Sequence, residues 1–272
     1  IILKYMLYRF VAGNNINKVL SKSKIFLNKK TIPIINYISE NNNNNNNNFI
    51  EYKKLINNVN NNYIIALKLS SLNFQQTDIN KICNLCQKKN IKLIIDAEND
   101  KNIEEYRKIT NSLLMKYNKN DLNIIKTYQM YRKDSILELY DDLKTSNHNN
   151  NFFSAKLVRG AYWYEDRNTS NLYINKEETD INYNLGILKC FESNYNNHII
   201  ASHNHNSIKL ARKLGVKNNK FIIANLLGMN EKYMEKINDN KAVYIPYGPY
   251  FEMIPYLLRR LYENYDQIKY FN

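Results

Sequence analysis

"KLVRGAYWYEDR", residues 156 to 167, decides the reading of this chain. An apolar run carrying Lys156 and Arg159 ends in Gly160, and three aromatics, Tyr162, Trp163 and Tyr164, follow before the charges. Strand interiors of a domain rarely hold cations. The stretch therefore reads as a short strand that brings two cations to a tip crowded with flat rings. Outward from it, short β-branched runs recur: "TIPIINYISE" (31–40), "YIIALKLSSL" (63–72), "IKLIIDAE" (91–98), "LNIIKTYQMY" (122–131), "HIIASHN" (198–204), "FIIANLLGM" (221–229) and "AVYIPYGP" (242–249). With "FFSAKLVRGAY" (152–162) they make eight. Several are apolar on both faces, as a parallel sheet covered by helices requires. Stretches with helical spacing lie between most of them, among them "TDINKICNLCQKKN" (77–90), "NIEEYRKITNSLLMKYNK" (102–119), "SILELYDDLKT" (135–145) and "SIKLARKLG" (207–215). A last amphipathic stretch, "FEMIPYLLRRLYENYD" (251–266), holds Pro255, which a helix tolerates only near its first turn. Eight strands alternating with helices predict an α/β fold, a (β/α)8 TIM-type barrel.

The 272 residues suit one such barrel, so residues 1–272 are read as a single domain. Residues 41–62 break the pattern. Asn41 to Asn48 is an unbroken asparagine run, and the bias continues through Asn57, Asn58 and Asn60 to Asn62. Such a tract lacks the apolar residues a core needs, so it is expected to be a disordered, low-complexity surface insertion. The chain opens on Ile1, not Met, so it reads as a trimmed piece with any targeting segment out of view.

Three cysteines argue against a disulfide scaffold. Cys83 and Cys86 form a CxxC, but only Cys190 remains to complete a zinc site, and helical spacing puts Ile82, Leu85 and Cys86 on one face. Core packing is the simpler reading. The formal net charge of +14 admits nucleic acid, anionic lipid or acidic ligands as partners. The lysines are scattered among asparagines, however, which describes a solvated surface better than a binding block. No apolar run approaches the roughly 20 residues of a membrane span.

In a barrel of this kind the functional residues sit at the C-terminal ends of the strands. Polar residues collect there: Lys68, Asp96 with Glu98, Gln129, Arg159, His203 with Asn204, and Tyr244, with Lys156 just below. Each alone reads as a satisfied polar group at a strand end. Six strands delivering polar groups to one rim read better as a site. His203 and His205 lack a third metal ligand at sensible spacing, so no metal is expected. There is no GxSxG, HExxH, GxGxxG or P-loop. Cations and flat rings at a barrel mouth suit a planar, phosphate-bearing cofactor. On the last helix, Arg259 and Arg260 with Glu263 form either an ordinary helix salt bridge or a clamp for a small carboxylate.

"KLIIDAE", "KLVRGAYW", "ASHN", "LLGM" and "VYIPYGP" followed by "YLLRRLYEN", in that order and spacing, resemble the proline dehydrogenase family. "RFVAGNNINKVL" (9–20) resembles that family's lead-in to the first strand. The resemblance implies a distorted (β/α)8 barrel holding FAD. The reaction it implies is hydride transfer from L-proline to the flavin, giving Δ1-pyrroline-5-carboxylate, the first step of proline catabolism. Lys68, Arg259 and Arg260 would bind the substrate carboxylate, and Asp96, Tyr162, Leu227 and Tyr244 would shape the pocket around its ring. Gln129, Lys156, Arg159, Trp163, His203, Asn204 and Glu263 would hold FAD. Asn225 stands where the family commonly carries Gln, one methylene shorter, and Ser202 stands for Thr beside His203.

The same resemblance implies quinone as the electron acceptor and a mitochondrial location, on the matrix side of the inner membrane with peripheral contact, and no nucleic acid partner. Rival readings are a hydroxyproline dehydrogenase of the same fold, a barrel that binds proline without turning it over, and a non-catalytic basic RNA-binding barrel. Retention of Tyr244, where a hydroxylated ring needs room, favours proline over hydroxyproline.

Overall fold

A computed structural model describes residues 9–39, 45–215, 220–238 and 240–263. Eight parallel strands close into a barrel in chain order: β1 (Thr31–Tyr37), β2 (Ile64–Lys68), β3 (Lys92–Asp96), β4 (Ile124–Gln129), β5 (Ala155–Val158), β6 (His198–Ala201), β7 (Phe221–Leu226) and β8 (Lys241–Tyr247). All eight expected runs become strands. Around them pack α1 (Ile16–Asn28), α2 (Asn45–Asn58), α3 (Gln76–Lys88), α4 (Ile103–Tyr117), α5 (Ser135–His148), the one-turn α6 (Trp163–Asp166), α7 (Lys176–Glu192), α8 (His205–Gly215), the short α9 (Glu231–Glu235) and α10 (Tyr250–Glu263).

Strand residues alternate between two cores. Ile34, Ile64, Ala66, Ile94, Ile125, Ile199, Ile222, Ala224 and Ala242 fill the lumen. Their neighbours Ile35, Ile65, Leu67, Leu93, Ile95, Leu157, Ile223 and Val243 face the helices. Both faces are dry, which is why the runs are apolar throughout. The lumen is closed below by these aliphatic residues, and the same inward parity carries polar residues at the top. Lys68 follows Ala66, Asp96 follows Ile94, and Tyr244 follows Ala242, each by one pleat.

The asparagine tract requires a correction. Residues 40–44 lie outside the described residues, but from Asn45 the chain forms α2, the helix between β1 and β2. Tyr52, Leu55 and Ile56 are fully buried against the barrel. Asn48 is buried too, and its amide donates to Ser39 Oγ (2.7 Å) and the Ser71 carbonyl (2.8 Å). Residues 45–58 are therefore a structural layer and not a surface insertion. These three apolar residues at helical spacing are enough to seat the helix, whatever the preceding asparagines prefer.

Cys83 and Cys86 are buried free thiols on α3, beside Ile79 and Ile82. Burial pushes the Cys83 thiol up to about 12. The last helix departs from expectation at Pro255, which lies inside α10 and beyond its first turn. The ring removes the N–H that would reach the Phe251 carbonyl. α10 crosses the barrel mouth: Met253, Tyr256 and Leu257 pack with Val11 and Ile38. The N-terminal segment is tied to the same end, since Ala12 N donates to the Pro246 carbonyl (2.8 Å). No described helix is long and apolar enough to cross a membrane.

Candidate functional site

A cavity of about 520 Å³ occupies the C-terminal end of the barrel. Ten of the residues expected at the site border it: Lys68, Asp96, Gln129, Lys156, Arg159, Tyr162, His203, Asn204, Asn225 and Tyr244. The strand register explains part of this convergence. Lys68 and Asp96 are paired neighbours across β2 and β3, and Thr127 pairs with Lys156 across β4 and β5.

Asp96 lies between two partners. Lys156 Nζ donates to Oδ1 at 2.5 Å, and the Tyr244 hydroxyl donates to Oδ2. The Lys156 ammonium also sits 4.7 Å from the centre of the Tyr244 ring. Burial, and then the Asp96 carboxylate, hold the Tyr244 phenol far above its ordinary pKa, so it stays protonated. Lys68 Nζ lies 5.3 Å from the Tyr162 ring, whose hydroxyl donates to the Ala97 carbonyl (3.1 Å). Burial raises the Tyr162 phenol to about 12, with Lys68 opposing the rise.

Gln129 is locked at both ends. Its amide donates to the Glu98 carbonyl (2.9 Å), and its oxygen accepts from Ala161 N (3.1 Å). Glu98 is buried behind the rim, where its carboxylate accepts from Ser70 N and Ser70 Oγ. It holds together the loops that follow Lys68 and Asp96, and the cavity lining does not include it. His203 Nε2 accepts from Leu226 N (3.2 Å), which leaves the proton of a neutral ring on Nδ1. Arg159 donates Nε to Asp180 Oδ1 (2.6 Å), Nη1 to Ser202 Oγ (2.5 Å) and Nη2 to Ser207 Oγ (2.9 Å). Gly160 turns the chain immediately after it, at φ +152°, and a Cβ there would stand 2.1 Å from the Tyr131 ring.

Besides Glu98, two expected residues do not border the cavity. Leu227 is 2% exposed and packs into the outer core, and Leu226 lines the wall in its place. Parity is the reason: Leu226 is the register partner of Tyr244, so the inward position is 226 and the next residue turns away. Trp163 opens α6 at 39% exposure, outside the lining residues. The helical turn after Tyr162 carries it off the rim. Asn225 borders the cavity, but its amide donates to the Leu226 (3.1 Å) and Met229 (2.7 Å) carbonyls and so ties the β7 loop. Arg259 and Arg260 follow the cavity residue Tyr256 by one turn of α10. Their side chains, and that of Glu263, lie outside the described residues.

Sequence reasoning missed Asn36, Tyr37, Ser39, Thr127, Lys176 and Tyr256 among the lining residues. Inward parity along β1 and β4 would have found Asn36 and Thr127. Lys176 and Tyr256 come from helices, which the strand-end rule does not cover.

A closed parallel barrel with cations and tyrosines converging at the carboxyl ends of its strands defines a (β/α)8 barrel of the small-ligand-binding kind. The chain belongs to the proline dehydrogenase family, whose sequence profile matches residues 22–271. It is 31% identical over 210 residues to "Proline dehydrogenase 1, mitochondrial" of Dictyostelium discoideum, covering 68% of this chain and 36% of that protein. It is 28% identical over 229 residues to the hydroxyproline dehydrogenase of Bos taurus, covering 73% and 50%. The chain thus spans about a third to a half of the length of these relatives. The fold matches the crystal structure of proline utilization A from Bdellovibrio bacteriovorus, inactivated by N-propargylglycine, with a TM-score of 0.89 and 20% identity over 96% of this chain and 33% of that one.

Proposed function

We propose that this chain is the catalytic barrel of an FAD-dependent proline dehydrogenase. It would oxidise L-proline to Δ1-pyrroline-5-carboxylate and pass the electrons to quinone. The observation that carries the reading is the convergence of Lys68, Asp96, Gln129, Lys156, Arg159, His203 and Tyr244, from the ends of six strands, on one cavity.

The residues present fit a flavin. Arg159 and Lys156 offer cationic donors to an anionic, hydrogen-bonding ligand, and His203 and Asn204 add polar groups on the same side. Lys156, Arg159, Gln129, His203 and Asn204 would hold the cofactor, with Asn225 shaping the loop beside it and Glu263 a further contact on α10. Bound FAD supplies the hydride acceptor; the chain's own residues supply binding and orientation. Lys68 at the rim, with Arg259 and Arg260 on the helix over the mouth, is the proposed grip on the substrate carboxylate. A carboxylate fixed by several cations presents the ring carbon in one pose, and positioning of this kind is a large part of what such a reaction needs from its protein. Tyr244 keeps its proton on Asp96 and acts as a wall, not as a base.

The relatives' names support a mitochondrial location. Peripheral contact with the matrix face of the inner membrane is part of the same proposal, and no nucleic acid partner is part of it. The test is steady-state turnover of the FAD-loaded full chain with a quinone analogue, comparing L-proline with trans-4-hydroxy-L-proline. Tyr244 occupies the pocket wall, so proline is expected to have the higher kcat/KM. The reverse order would replace this reading with the hydroxyproline one.

A further inference from the structure

The cationic wall of the cavity is held from behind by one helix. Asp180, on α7, uses both carboxylate oxygens: Oδ1 accepts from Arg159 Nε (2.6 Å) and Oδ2 from Asn204 Nδ2 (3.0 Å). Arg159 stems from the end of β5 and Asn204 from the end of β6, so a single carboxylate joins two strands' contributions to the site. The rest of the helix face completes the support. Tyr183 lies under the guanidinium at 4.3 Å, and Asn184 accepts from Ser207 Oγ (2.7 Å), which itself accepts from Arg159 Nη2 (2.9 Å). Positions 180, 183 and 184 share one side of a helix.

Folding stability is only part of what this arrangement supplies. The side chains of Arg159 and Asp180 are 23% and 26% exposed, so water reaches the pair and screens part of its attraction, and its contribution to folding is modest. What the pair also supplies is a fixed guanidinium. Arginine has a long, rotamer-rich side chain, and a ligand that must first immobilise it binds less tightly than one that meets it already oriented. The geometry points to Asp180 as the positioning residue of the cofactor site: it pre-orients Arg159 and Asn204 and offsets the arginine charge, and so sets both the affinity and the redox environment of the bound FAD. This inference rests on the flavin reading above. Asp180 itself is not among the residues that border the cavity.

The test uses the apo form of the full chain and FAD as the probe. FAD affinity is measured by quenching of flavin fluorescence, and the midpoint potential of the bound flavin by dye equilibration, for wild type, Asp180→Ala and Asp180→Asn. The isosteric Asn variant keeps the comparison valid where the Ala variant fails to fold. Asp142→Asn is the control. Asp142 accepts from Lys126 and Tyr128 between the barrel and α5, and none of the three borders the cavity, so its loss lowers stability without removing a lining group. In both Asp180 variants the Kd for FAD is expected to rise about tenfold, the loss of one charged hydrogen bond. The potential of bound FAD shifts positive because Arg159 is no longer offset. Asp142→Asn leaves both quantities at the wild-type values. Affinity and potential unchanged in both Asp180 variants, or tighter binding, overturn the inference while the flavin reading stands. Failure of the wild-type chain itself to take up FAD overturns the flavin reading and the inference together.

Discussion

Asp96 accepts from Lys156 on one oxygen and from Tyr244 on the other, and Lys156 is only 7% exposed. Removing the carboxylate leaves a buried ammonium with the Tyr244 ring as its remaining named partner. Asp96→Ala is therefore expected to cost about 3 kcal/mol of stability, since breaking one side of a buried ion pair costs more than the pair is worth. Urea unfolding measures it, and an unchanged midpoint would contradict the assignment. His198 shows a different use of burial. It is fully buried at the start of β6, with Nδ1 accepting from Ala155 N (3.1 Å). Burial, and then nearby Lys220, push its pKa down from 6.5 to about 3. The folded state keeps the ring neutral while the unfolded chain binds a proton below 6.5. The stability present above that pH is lost progressively as the pH falls toward 3. His198→Asn keeps an acceptor for Ala155 and removes the titration. Its urea midpoint is expected to fall less than that of wild type between neutral pH and about pH 5. Equal slopes would place the acid sensitivity elsewhere.

Among the elements, α2 separates composition from structure most clearly. Asn46 and Asn47 are exposed, whereas Asn48 is buried and donates to Ser39 and Ser71. Asn48→Ala leaves the Ser71 carbonyl without that donor and is expected to cost about 1–2 kcal/mol. Asn46→Ala improves helix propensity and is expected to be neutral or slightly stabilising. Similar losses in both variants, measured by thermal unfolding, would return α2 to the status of an insertion. The sequence made the strands legible because a sheet covered on both faces demands unbroken apolar, β-branched runs, and little else in a chain looks like that. α2 stayed hidden because its few buried apolar residues, Tyr52, Leu55 and Ile56, follow a run of asparagines that dominates any compositional view. α7 was not singled out for a related reason. Its buried face carries Thr179, Asn182 and Gly186 among Tyr183, Ile187 and Cys190, so its apolar periodicity is faint. The support that Asp180 gives to Arg159 was missed with it.

At the scale of the whole molecule, one alternation organises both stability and site. Inward-facing positions are aliphatic through the lumen and become Lys68, Asp96, Lys156 and Tyr244 at the top. The strand ends of the site were legible because this rule acts on sequence directly. Leu226 borders the cavity and Leu227 does not, because the strand's parity decides which leucine faces in. Trp163 lies outside the cavity lining because a turn of helix begins after Tyr162. In the proposed function this cavity holds a flavin and presents proline to it. The most direct measurement is anaerobic: load the full chain with FAD, record its visible spectrum, and titrate with L-proline. The oxidised flavin band is expected to bleach on addition of proline. A chain that retains FAD but whose spectrum proline leaves unmoved would contradict the proposed function.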